Sequence, residues 1–246
     1  MWWTRAIAAI LRHDILRLMR DRFLLGTAVY VAAMALAIRW LVPWLSAELL
    51  ASRGLDITPW VPLGVSYFTI VNASVLTGIV GGLLLLEMRE ERAIKAILVA
   101  EIPVWIPLAT LGAVIFLTGA ASTILLSVFV GTGLPGWDAI IASAVIGAPT
   151  GVIFALILAT AASNRVEAFA VLKVTSLLGL LPVGGFFVPE PAQYLVGLIP
   201  PYWACKVWWM SAAGAAGWGW IAVPGLLLSV LWTAILFARF RWAVGR

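Results

Sequence analysis

The stretch LLLLEMREERAIKAILVAEIP, residues 83–103, decides the reading: an apolar run breaks into the densest charge cluster of the chain and then resumes. The chain holds 16 Lys and Arg and 11 Asp and Glu, and seven of these fall here, at Glu87, Arg89, Glu90, Glu91, Arg92, Lys95 and Glu101. Apolar segments long enough to cross a membrane flank the cluster, so it reads as a water-facing hairpin tip between two spans. Within the tip, Ile94, Ile97, Leu98 and Ile102 share one helical stripe and the charges share the other. Glu91 precedes Lys95 by four residues, the favourable order, and Pro103 ends the pattern. A helix over 87–102 is roughly 24 Å long at ~1.5 Å per residue, more structure than a connector needs. Periodicity leaves two roles open, a solvated connector on the headgroups and an element that docks on a partner.

Composition sets the class. Hydrophobic residues are 63% and charged residues 11%, against about 25% charged in soluble domains. The 246 residues divide into about six spans of ~20 residues with short loops, leaving no room for a soluble domain. The alternation of outer-membrane strands is absent, so the expected fold is all-α: a polytopic integral membrane protein. Residues 1–22 are interrupted by five arginines and carry no long apolar run, so they do not read as a cleavable signal. Trp3, Ile7, Ile10, Leu11 and Leu18 share a face opposite Arg5, Arg12 and Arg20, the pattern of an amphipathic helix on an anionic membrane surface. His13 on it reads as a surface residue.

Six spans are expected at 23–45, 63–86, 104–130, 137–162, 168–188 and 220–238, with the 87–102 tip between the second and third. A cytosolic N-terminus puts twelve Lys and Arg inside and only Arg39, Arg53 and Lys206 outside, with Lys173 snorkelling to the inner surface. Both termini are therefore expected in the cytosol, in the inner (plasma) membrane. Tryptophan, which prefers the interface, agrees: Trp40, Trp44, Trp60, Trp137, Trp203, Trp208, Trp209, Trp218 and Trp220 fall outside, Trp2, Trp3, Trp105 and Trp242 inside, and Trp232 within a span.

The outer segment 189–219 is rich in Trp and Tyr and has only two charges, Glu190 and Lys206. It reads as two short helices, about 192–198 and 202–213, broken at Pro200 and Pro201 and dipping into the outer leaflet. Both a packed cap and a gate fit it. Gly78 with Gly82, and Gly147 with Gly151, are small pairs that permit close helix approach, and Pro149 should kink the fourth span. Ser66, Thr69, Asn72, Ser74 and Thr77 form a polar stripe on the second span, more often interhelical glue but also the best candidates for lining a path.

Several chemistries are excluded. With one His, one Cys and no carboxylate deep in a span, neither a metal centre nor a His-activated nucleophile is supported. Glu90 and Glu91 resemble the paired glutamates of membrane-embedded CAAX-type proteases, but that pattern wants an Arg at Lys95 and later histidines, so it is rejected. Proton coupling wants an intramembrane acid, and no lysine follows a glycine as in a phosphate-binding loop. The chain is therefore read as a non-enzyme that binds no cofactor itself. A bundle with a structured tip and no chemistry fits a transport subunit powered from elsewhere. The competing class is a non-transporting assembly or immunity-type membrane protein, in which the tip only anchors a partner.

Taken together, the N-terminal surface helix, the cluster EMREERAIKAILVAEIP (87–103) and the outer segment resemble the ABC exporter permeases of the second type. The segment PEPAQYLVGLIPPYWACKVWW (189–209) further resembles the fluoroquinolone-exporter permeases of that group. The family's tip usually closes on Thr-Pro, where this chain has Glu101-Ile102-Pro103. The resemblance implies a half-transporter: two permease chains, identical or related, above two ATP-binding subunits that hold ATP and Mg. Glu87, Arg89, Glu90, Glu91, Arg92, Ile94, Lys95, Ile97 and Leu98 would then couple to the ATPase. The remaining partner is the lipid bilayer, with no nucleic acid. The expected cargo is hydrophobic or amphipathic, a drug-like molecule or a lipid.

Overall fold

The computed structural model describes residues 22–90 and 105–244. The surface helix expected over 1–22 and the tip from Glu91 onward lie outside the described residues. Within them the elements are helical: α1 (Arg22–Arg53), α2 (Val61–Ser66), a π turn (Tyr67–Asn72), α3 (Ala73–Glu90), α4 (Trp105–Val130), α5 (Trp137–Gly147), α6 (Pro149–Ala161), α7 (Arg165–Phe186), α8 (Pro201–Ala212) and α9 (Trp218–Val244). Short 3-10 helices occupy Thr58–Trp60 and Ala192–Leu198. Six segments are long and apolar enough to cross a membrane: Val29–Arg53, Thr58–Arg89, Trp105–Val130, Trp137–Ala161, Arg165–Phe186 and Trp218–Trp242. The fold is that of a multi-pass helical membrane protein. It has an arginine end, with Arg89 and Arg165, and a tryptophan end, with Trp60, Trp137 and Trp218.

The first helix runs to Arg53 rather than Leu45, because residues 46–53 contain no breaker and Pro43 costs one hydrogen bond without ending the helix. Gly54 stops it at φ 65°, a conformation that favours glycine. The N–H groups of Gly54 and Leu55 take the carbonyls of Leu50 and Leu49 at 3.1 and 3.2 Å. The second span begins earlier than its apolar run: the carboxylate of Asp56 accepts from the Thr58 N–H at 2.9 Å and starts the turn. Beyond α2 the π turn inserts an extra residue, rotating the remainder of the span by about 100°.

Spans two and four form the core, the first and sixth being the least buried. Their contact needs glycine. A Cβ at Gly78 would stand 2.5 Å from the Gly151 carbonyl oxygen and 2.8 Å from Phe154 Cβ; at Gly82 it would meet Leu158 Cβ at 2.9 Å. The fourth span breaks at Pro149, which has no N–H to continue the ladder. Hydroxyls of two other spans cover carbonyls at the break: Ser74 donates to Gly147 at 3.2 Å and Ser229 to Ile146 at 3.4 Å.

Because backbone blocks the space at Gly78, Gly78→Ala should destabilise the bundle by about 1–3 kcal/mol, the usual cost of overpacking. Gly184, with nothing within 4 Å of its Cβ position, is the control. Thermal unfolding in detergent should show a lower midpoint for Gly78→Ala and no such drop for Gly184→Ala; equal midpoints for both variants and the wild type would refute the tight contact.

Candidate functional site

At the arginine end, α3 carries the second span straight into the charged cluster and runs through Glu90. Glu87 and Arg89 are described, whereas the side chain of Glu90 and all of Glu91, Arg92, Ile94, Lys95, Ile97 and Leu98 lie outside the described residues. Both described side chains turn toward the short connection between spans four and five. Arg89 Nη1 donates to the carbonyl oxygen of Ala159, in the last turn of α6, and to that of Ala162 at 3.4 Å. Glu87 stands 3.5 Å from the guanidinium of Arg165, the first residue of α7.

The connection is itself tightly built. Asn164 caps α7, its side-chain oxygen accepting from the Glu167 N–H at 2.9 Å, and the Glu167 carboxylate accepts from the Ser163 N–H at 2.6 Å. This is a variant of the capping box: Asn stands in place of Ser or Thr, and the glutamate takes the N–H one residue before the cap rather than the cap's own. Since the Ser163 N–H is engaged there, it is not bonding the Ala159 carbonyl as a continuing helix would. Arg89 fills that place with a cation at a helix C-terminus, where the dipole favours one. Leu86, Leu158, Ala162 and Ala168 bury a small apolar cluster beneath it.

The polar stripe of the second span faces the interior of the bundle. Ser66, Thr69 and Ser74 are fully buried. Ser66 donates to Leu63 at 2.9 Å, and its oxygen accepts from the Trp209 indole N–H at 2.8 Å. Thr69 donates to Val65 at 2.8 Å and Thr77 to Ser74 at 3.0 Å; Asn72 is half-buried.

At the tryptophan end, the segment between spans five and six enters the bundle and leaves on the same side. The Ala204 carbonyl accepts from Ser143 at 3.0 Å, and Ala204 Cβ lies 3.5 Å from where a Cβ on Gly147 would stand. Gly147 is ten residues past Trp137, so the start of α8 sits roughly 15 Å deep at ~1.5 Å per residue, near the middle of a ~30 Å apolar layer. Trp232, well down α9, donates its indole N–H to Leu198 at 3.0 Å, placing the preceding turn at similar depth. The far end of α8 rises to the aromatic cluster of Trp60, Phe186 and Trp209. Cys205 is buried on the way.

A polar group was missed in reading these residues as two isolated charges. Lys206 is only 6% exposed, and its ammonium bonds both Glu190 and the side-chain oxygen of Gln193. Tyr202 donates to the same Gln193 oxygen at 2.6 Å, and Lys206 also lies 5.3 Å from the centre of the Tyr194 ring. A lysine in an aromatic, apolar run was the available signal, because a buried cation demands a partner. Lys206 holds the Glu190 carboxyl below its ordinary value of 4.5.

Two concavities stand out among the described residues. One, of about 500 Å³, is an apolar groove between α4, α6 and α9, bounded by Leu85, Leu108, Val152, Val230, Thr233 and Phe237. The other, of about 710 Å³, opens at the tryptophan end beside Ser46, Asp56, Thr58, Thr132 and Trp209.

Six apolar spans, with a charged helix leaving one end and the segment around α8 filling the other, define a multi-pass helical membrane protein. The chain belongs to the family described as Fluoroquinolones export permease protein Rv2686c-like, whose model matches residues 14–237. It is 24% identical over 241 residues to the Fluoroquinolones export permease protein Rv2686c of Mycobacterium tuberculosis (strain ATCC 25618 / H37Rv), covering 96% of this chain and 94% of that protein. The same values hold for the Fluoroquinolones export permease protein MT2760 of Mycobacterium tuberculosis (strain CDC 1551 / Oshkosh).

The Glu190–Lys206 pair makes a pH prediction. A folded-state pKa below 4.5 gives stabilisation that is complete above pH 4.5 and is lost as pH falls through the depressed value. Unfolding midpoints followed by tryptophan fluorescence should be higher for the wild type than for Glu190→Gln at neutral pH. The gap should close below that range, and a pH-independent gap would show that the pair does not titrate as described.

Proposed function

We propose that this chain is the membrane-spanning subunit of an ATP-driven ABC exporter that moves amphipathic, fluoroquinolone-like molecules out of the cell. The observation that carries the reading is the family match across residues 14–237. ATP and Mg belong to a separate ATP-binding subunit, and this chain hydrolyses nothing. The charged tip is the docking element: Ile94, Ile97 and Leu98 supply the apolar stripe, and Glu90, Glu91, Arg92 and Lys95 supply polar contacts. Its continuity with α3, up to Glu90, supports a tip that passes rigid-body movement into the membrane. Two permease chains, identical or paired with a relative, form the path between them.

In that assembly the second-span residues Ser66, Thr69, Asn72, Ser74 and Thr77 line the path only in an open state, because the hydroxyls of Ser66, Thr69, Ser74 and Thr77 are engaged inside the bundle in this one. The arginine end is cytosolic, in line with the excess of Lys and Arg there, and the membrane is the plasma (inner) membrane.

Two experiments test this. Burying an apolar side chain contributes about 1.5–3 kcal/mol, so Leu98→Asp should abolish co-purification with the ATP-binding subunit while leaving membrane insertion intact. Retained co-purification together with fluoroquinolone export would make the tip a mere connector. Orientation is read in a Cys205→Ala background: an impermeant maleimide added to intact cells should label Ala215→Cys, exposed at the tryptophan end, and not Ser163→Cys, exposed at the other. The opposite pattern inverts the topology.

A further inference from the structure

The tip's first cation is already used inside the chain. Arg89 bonds the carbonyls of Ala159 and Ala162, Glu87 meets Arg165, and the three-residue connection they hold is fixed on its other side by the Asn164–Glu167 capping box. Close helix packing continues this tie into the membrane, through Gly82 on Leu158 and Gly78 on Gly151. Resting on the exporter reading above, we propose that Arg89 is a positioning residue: it transmits movement of the second span's end to spans four and five, and is not itself a contact to the ATP-binding subunit.

The geometry separates these roles. A docking arginine would project its guanidinium to solvent, whereas this one is half-buried against helix-end carbonyls. The connection has no slack, because 162–164 is the whole of it and both ends are capped. A push on α3 therefore reaches α6 and α7 together. From α5 and α6 the displacement continues to α8, which rests on Ser143 and close to Gly147 at mid-depth. Both bonds come from one nitrogen, Nη1, so a lysine ammonium has the donors to make them but carries them on a shorter, differently shaped side chain, and lysine should replace the arginine only in part.

The test uses the permease with its ATP-binding subunit in proteoliposomes and measures norfloxacin transported per ATP hydrolysed. Arg89→Ala should still co-purify with the subunit but transport about tenfold less per ATP, within the usual range of coupling between sites. Arg89→Lys should fall between the two. An unchanged transport ratio in Arg89→Ala overturns the proposal, as does loss of co-purification in a folded variant, which would make Arg89 a docking residue. If Arg89→Ala does not fold, Arg89→Lys decides alone: a ratio reduced by about fivefold supports the proposal and an unchanged ratio overturns it. Failure of the wild-type chain to pair with any ATP-binding subunit would instead defeat the exporter reading, so the two failures are distinct.

Discussion

Inside an apolar layer no water is at hand to satisfy a backbone N–H or C=O, and this requirement governs where the chain can bend. The fourth span breaks at Pro149 in the middle of the bundle, and Ser74 and Ser229 cover carbonyls at the break. At the tryptophan end Arg39 donates to the Val128 carbonyl, in the last turn of α4, at 3.3 Å. At the arginine end Arg89 does the same for α6. Four side chains from three spans thus complete the hydrogen bonding of two others. Thr150 Oγ1, one residue past the break, is the buried side-chain oxygen left without a partner among the described residues.

The re-entrant segment obeys the same rule with different means. Its indole groups act as long donors: Trp203 reaches the Gly197 carbonyl at 2.6 Å, Trp208 the Gly133 carbonyl at 3.2 Å and Trp209 the Ser66 hydroxyl. Each leaves a large apolar ring buried or half-buried while a single N–H finds its acceptor. Lys206 is the exception that needs Glu190, Gln193 and Tyr194 at once, since a cation below the surface must be compensated by charge, dipole and ring face together. The Trp-rich run that marks an interface in sequence is here a helix seated among spans two, four, five and six.

The legibility of each feature in the sequence depends on the kind of signal it leaves. Six spans and their helical class were legible because an apolar run of ~20 residues has few alternatives. The break at Pro149 was legible for a local reason, the missing N–H. The first helix's true end was not, because 46–53 is merely less apolar, and helix stops are set by Gly54 rather than by hydropathy. Arg89 could not be separated from Glu90 and Arg92, since a charge cluster does not say which member turns back onto a neighbouring helix end. The stripe from Ser66 to Thr77 looked continuous at 3.6 residues per turn, yet the π turn over 67–72 rotates its second half, a shift that leaves no mark in composition.

The distribution of burial constrains how such a subunit moves. Spans two and four are joined by glycine contacts too close for a methyl group and by the Arg89 tie, whereas spans one and six bury little of their surface within the chain. Relative sliding of two and four would drive backbone into backbone, so these two spans are held to each other more tightly than spans one and six are held to the bundle. The re-entrant α8 is held by both spans two and four, through Ser66 on one and Ser143 on the other. Lys206, within α8, bonds Glu190 and Gln193 of the segment that leads into it from the less buried fifth span, so α8 is tied to that segment as well as to the core.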